Sequence, residues 1–170
     1  MIKTTQTSRA FTLVEAIVSC VIVALMLTAA LSTTAAARGR EQKAVDREKG
    51  LFLAQSLLAE VMDKAYVDPG ALPLFGPEAT ELLVTSRASY NDVDDYNGLN
   101  DSPPKDSSGV AIAGYSKWSR TVKVEWVTAA GLNTISATET TIKKITVTVK
   151  KNGATVVELY ALRSKARDSL

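Results

Sequence analysis

The chain has 170 residues, with 20 Lys and Arg against 18 Asp and Glu; the formal net charge of +2 is too weak a basic excess to point to nucleic acid. It contains no histidine, which removes the commonest general base, the usual triads and most zinc sites. Cys20 is the sole cysteine, so an internal disulfide is excluded, and within an apolar run this thiol reads as a small packing residue.

Residues 1–10 form a polar leader with Lys3 and Arg9 and no apolar core. In an ordinary secretory signal the apolar region precedes the cleavage site. Here the small residue Ala10 precedes it, so a cut after Ala10 would remove the leader and keep the apolar helix. From Phe11 to Ala37 the only charge is Glu15. About 27 residues rising ~1.5 Å each give roughly 40 Å of helix, enough to span a bilayer with some tilt. Ser19, Thr28, Ser32, Thr33 and Thr34 can return hydrogen bonds to the helix backbone.

A generic anchor explains this length but not Glu15. A carboxylate costs on the order of 2.5–3.5 kcal/mol at the membrane centre, and less near an interface. A positive partner would offset that cost. After a cut before Phe11, the new α-amino group, with a pKa of about 7.7–8.0, lies one helical turn from Glu15. Pairing of Glu15 with the amine of a neighbouring subunit would fix axial stagger in an assembly.

Ala10-Phe11-Thr12-Leu13-Val14-Glu15 resembles the class III signal of type IV pilins and type II secretion pseudopilins. The resemblance implies cleavage after Ala10 by a prepilin peptidase, N-methylation of Phe11 by the same enzyme, and subunit recruitment through Glu15. It departs from the family at Ala10, where Gly is usual. It also implies a leader on the cytoplasmic side and a globular part in the periplasm. Charge bias alone leaves orientation open, because Lys3 and Arg9 flank one side and Arg38, Arg40 and Lys43 the other.

Beyond Ala37 the helix is expected to continue as an amphipathic segment over residues 38–66. Ala44, Val45, Leu51, Ala54, Leu58, Val61 and Ala65 form a stripe that Phe52, Leu57 and Met62 widen. Gly39 and Gly50 are weak points, and the helix should stop before Asp68-Pro69-Gly70. Residues 67–80 hold Pro69, Pro73 and Pro77 and read as an irregular connection, followed by a short strand at Glu81 to Thr85.

Residues 91–106 contain five Asp and three Asn. Two readings stand open. One is a solvated, turn-rich loop. The other is a calcium site with Asp92, Asp94, Asp95 and Asp101 as candidate ligands, since hard cations take six to eight oxygens. The spacing does not match an EF-hand, and no other cofactor is called for. Tyr115 and Trp118 read as packing residues.

Residues 121–127 alternate strictly, placing Val122, Val124 and Trp126 on one face, and residues 145–149 alternate likewise. Asn152-Gly153 predicts a tight hairpin turn into a return strand from Ala154 to Leu162. Gly131 to Thr140 reads as a polar link, and Arg163 to Leu170 as a charged tail without structure. Three or four antiparallel strands with one apolar face need a cover, which the stripe at 51–65 can supply.

The expected fold is therefore α+β and pilin-like. It comprises a leader (1–10), a transmembrane half-helix (11–37), an amphipathic half-helix (38–66) and a periplasmic globular part (67–170). No catalytic set emerges, so the chain is read as a non-enzymatic assembly subunit. Its expected partners are prepilin peptidase, other pilin or pseudopilin subunits, an inner-membrane assembly platform and the lipid bilayer, with no nucleic acid. A minor pseudopilin of a type II secretion-like system is the preferred member of this class. A minor pilin of a type IV or mannose-sensitive-haemagglutinin-like pilus fits nearly as well, and a membrane-anchored binding module is a further alternative.

Overall fold

The computed structural model describes residues 12–69, 75–78, 81 and 86–169. The chain divides into two compact units, Met1–Ala44 and Val45–Leu170. Helix α1 runs over Leu13–Met62 and contributes to both.

In the first unit α1 has no core to join. Its apolar side chains, from Leu13 to Leu31, are exposed all round. The hydroxyls of Thr28, Ser32, Thr33 and Thr34 donate to carbonyls one turn back at 2.8–2.9 Å, so the polar side chains are satisfied within the helix. Among the described residues this is the one helix long and apolar enough to cross a membrane.

The second unit packs the C-terminal part of α1 on an antiparallel sheet. Strands are β1 (Asn100–Asp101), β2 (Trp118–Thr128), β3 (Gly131–Ile135), β4 (Ile142–Lys151) and β5 (Ala154–Ser164). Their order is β1-β2-β4-β5, with β3 folding back on the end of β2. The β4–β5 turn has Asn152 at φ 50° and Gly153 at φ 81°, the left-handed pair that a type I′ hairpin requires. Alternation along β4 buries Ile145, Val147 and Val149, which meet Val122 and Val124 of β2 in one layer.

From α1, Gly50, Leu53, Ala54, Leu57 and Val61 face this layer. The buried stripe is thus rotated from the one expected. Leu53 is fully buried, whereas Leu51 and Phe52 are exposed. Gly50 is a contact point rather than a weak one: a Cβ there would lie 3.2 Å from methyl groups of both Val156 and Val157.

Other expectations need correction. The helix ends at Met62, before Tyr66, because Ala65 gives its backbone to the loop: its N–H donates to the Asn91 carbonyl and its carbonyl accepts from Val93. On β2 the inward alternation breaks after Val124. Val127, not Trp126, is fully buried, and Trp126 packs against Phe75 with ring centroids 4.4 Å apart. The polar link contains β3, which pairs with β2 through Val127 and Thr128. The tail is structured to Ser169: Arg163 is buried on β5, and Asp168 accepts from the backbone N–H of Tyr66 and from Arg163. Of the expected strand at Glu81 to Thr85, Glu81 is helical, its N–H donating to the Glu78 carbonyl, and residues 82–85 lie outside the described residues.

Candidate assembly segment and the acidic turns

At the head of α1, Thr12 precedes the first helical residue. Its Oγ1 accepts the N–H of Glu15 at 3.3 Å, and its carbonyl accepts that of Ala16 at 3.1 Å. Thr12-Leu13-Val14-Glu15 is therefore a helix-start signature of the capping-box type, a local signal present in the sequence and absent from the reading above. The capping half is made. The Glu15 side chain is exposed, and among the described residues its carboxylate has no partner. An acid in the first turn also complements the partial positive charge of the helix start. Cap and dipole explain why an acid is tolerated here. Neither engages the carboxylate itself. Ala10 and Phe11, the residues flanking the expected cut, lie outside the described residues.

The four aspartates singled out as calcium ligands fall into two places. Asp92, Asp94 and Asp95 share one turn. Asp92 Oδ1 accepts the N–H groups of Asp94 and Asp95 at 2.8 and 3.2 Å, and Asp95 Oδ2 accepts those of Asn91 and Asp92 at 2.8 and 3.0 Å. Asp94 pairs with Lys143, which also donates to the Tyr66 carbonyl and lies 4.4 Å from the Tyr66 ring centroid. Asp101 is elsewhere. Its Oδ2 accepts from Arg120 at 2.6 Å, from Arg87 at 3.1 Å and from the Lys105 N–H at 3.1 Å. Arg87 in turn grips Glu60 of α1 with two bonds at 2.9 and 3.1 Å, and Glu60 accepts the Tyr96 hydroxyl at 3.0 Å. All four aspartates are buried, which overturns the solvated-loop reading.

Burial and these partners shift several groups. Burial, then the neighbouring Asp94 and Asp95, push Asp92 up to about 7, with Lys143 pulling the other way. Burial also raises Glu81, to about 8, helped by hydrogen bonding with Glu78 and Asp95. For Arg87 burial works against the charge, but Glu60 and Asp101 outweigh it and the net shift is upward. Tyr66 rises to about 12 through burial and the charges of Glu139 and Asp94. These aspartates and arginines serve as buttresses of the loop. Tyr115 and Trp118 stack edge-on at 5.9 Å, in the packing role expected of them.

The comparisons with known proteins bear on the head of α1. The family model for the prokaryotic N-terminal methylation motif matches residues 6–31. No curated protein and no solved structure shows significant similarity to the chain. A motif of this kind implies processing by prepilin peptidase and assembly with other pilin subunits. The matched segment opens the long N-terminal helix, and that helix ends against a small antiparallel sheet. Motif and fold together fit a type IV pilin-like protein, and the exposed apolar helix fits one anchored in a membrane.

Proposed function

We propose that the chain is a non-catalytic minor pseudopilin of a type II secretion-like system, cut between Ala10 and Phe11, N-methylated at Phe11 and drawn into a periplasmic filament. Before assembly it sits in the inner membrane as a single-pass protein, with its leader cytoplasmic and its globular part periplasmic. The observation that carries this reading is the methylation motif over residues 6–31, set at the head of an apolar helix that is exposed on every side. Such a helix needs either lipid or neighbouring helices around it, and a filament core supplies the second. Glu15 pairs with the N-terminal amine of an adjacent subunit, an attraction that strengthens as water is excluded. The lone Cys20 argues against those major pilins that carry a C-terminal cysteine pair.

Mass spectrometry of the mature N-terminus tests the proposal. An N-methylated Phe11 at the start of the chain is expected. An intact Met1, or a cut beyond residue 37, would overturn it. Co-purification with the secretion apparatus is expected, and recovery in an extracellular pilus would refute the pseudopilin assignment.

A further inference from the structure

Among the described residues Lys143 is the one buried lysine. It reaches from β4, at 2% exposed, to Asp94 of the acidic turn, at 4% exposed. Its Nζ also donates to the Tyr66 carbonyl and lies over the Tyr66 ring. That ring is itself fixed: Tyr66 is fully buried, and its hydroxyl donates to the Thr140 carbonyl at 2.5 Å. Asp94 Oδ1 faces the amine, while Oδ2 accepts the Gly76 N–H at 3.4 Å. The Asp94 carboxyl is also hydrogen-bonded to that of Asp92.

This pair differs in kind from the others in the unit. Arg87, Arg120 and Arg163 make the remaining buried pairs, and a guanidinium keeps its charge in any setting. The other lysine pairs, with Asp46, Glu125 and Glu139, reach solvent. Two charges shut away from water lose their hydration, and mutual attraction repays that only with additional hydrogen bonds. Passing one proton from Nζ to Asp94 removes both charges. A neutral amine is then held against a neutral carboxyl group, which is the reactive state of both: an ammonium is no nucleophile and a carboxylate is a poor electrophile. Burial, aromatic cover and fixed contact supply what these two groups lack in water.

We propose that Lys143 and Asp94 join in an isopeptide bond, formed inside the folded unit without a second enzyme, with Asp92 as the proton carrier. Nζ attacks Asp94 Cγ, oriented by its hydrogen bond to the Tyr66 carbonyl. The Gly76 N–H steadies the charge that develops on Oδ2. Asp92 lends its proton to the departing Oδ1 and recovers one from Nζ. The Cγ–Nζ bond forms, the Cγ–Oδ1 bond breaks and one water leaves, with no oxidant or reductant involved. Asp92 suits this part because burial and its acidic neighbours push its carboxyl up to about 7, so it holds a proton that an ordinary aspartate would have lost. The bond ties the acidic turn covalently to β4, and it is independent of how the chain assembles.

The test takes the full chain, purified in detergent, with its N-terminus read from fragment ions. Intact mass spectrometry should find the wild type lighter by one water than its mature sequence. A tryptic digest should contain a branched peptide that links the segment bearing Asp94 to the segment bearing Lys143. Lys143→Arg keeps an ion pair with Asp94, and Asp92→Asn keeps the oxygen that accepts the Asp94 and Asp95 N–H groups, so both fold. Each should regain the missing water and lose the branched peptide. A wild type of full mass without that peptide would overturn the bond and leave an ion pair only. A missing water that persists in Lys143→Arg would overturn it by placing the dehydration elsewhere. A branched peptide retained in full by Asp92→Asn would remove Asp92 from the mechanism.

Discussion

Asp101 is the carboxylate on which two buried arginines meet. One oxygen, Oδ2, holds Arg87 and Arg120 together, with both guanidinium side chains 5% exposed or less. Removing one partner of a buried ion pair leaves an uncompensated charge, at a cost of about 3–5 kcal/mol. Asp101→Asn keeps the shape and removes the charge, so a loss of that size is expected in thermal unfolding followed by tryptophan fluorescence. A second prediction follows from the raised carboxyls. Glu81 and Asp92 hold protons more tightly in the folded chain than in the unfolded one. Their contribution is complete below the unfolded pKa values near 4, and is lost as pH rises through about 7 and 8. In chelator-treated buffer the melting temperature should therefore fall between pH 5 and pH 8, and Glu81→Gln should flatten part of that fall. The density of aspartate in residues 91–106 was plain in the sequence. Its burial was not, because the partners Arg87, Arg120 and Lys143 are scattered over more than fifty residues and only the fold gathers them.

At the level of elements, helix α1 and the β4–β5 hairpin were legible because each repeats one signal: a long apolar run, or alternation bracketing Asn152-Gly153. Strand β3 was not legible. Leu132 to Ile135 are all exposed, so there is no buried face to imprint a period. The tail was missed for a related reason. Its order comes from distant contacts, among them Asp168 on the Tyr66 N–H and the Lys165 N–H on the Thr141 carbonyl, and not from local pattern. The two glycines of α1 differ for the same kind of reason, and the difference is measurable. Gly39 has nothing within 4 Å, so Gly39→Ala should add about 1 kcal/mol of helix stability. Gly50 meets Val156 and Val157, so Gly50→Leu should cost about 1–3 kcal/mol by overpacking. Circular dichroism melts of the two variants should move in opposite directions.

On the scale of the whole molecule, the methylation motif lies at one end of the chain and the buried core in the other unit. Glu15 contributes nothing to the core, so Glu15→Ala should leave the melting temperature and membrane insertion unchanged. Cross-linking to neighbouring subunits and recovery in filaments should fall at least tenfold. Equal cross-linking in the variant would remove the Glu15–amine pairing. The long helix was legible at its head because the apolar run is contiguous there, whereas the Thr12 cap went unread. The soluble unit was read less well because its specificity is carried by contacts between distant residues.

The core also sets an order of events during synthesis. Leu53 and Leu57 of α1 are buried in the same cluster as Val157 of β5, about a hundred residues later in the chain. At roughly 5–20 residues per second, the ribosome exposes that face of α1 on the order of 5–20 seconds before its last covering strand exists. During that interval the nascent chain offers an apolar helix surface and unpaired strand edges at once. A factor that holds the nascent chain would shield them, and its depletion should cost this protein its yield before it costs the mature protein any stability.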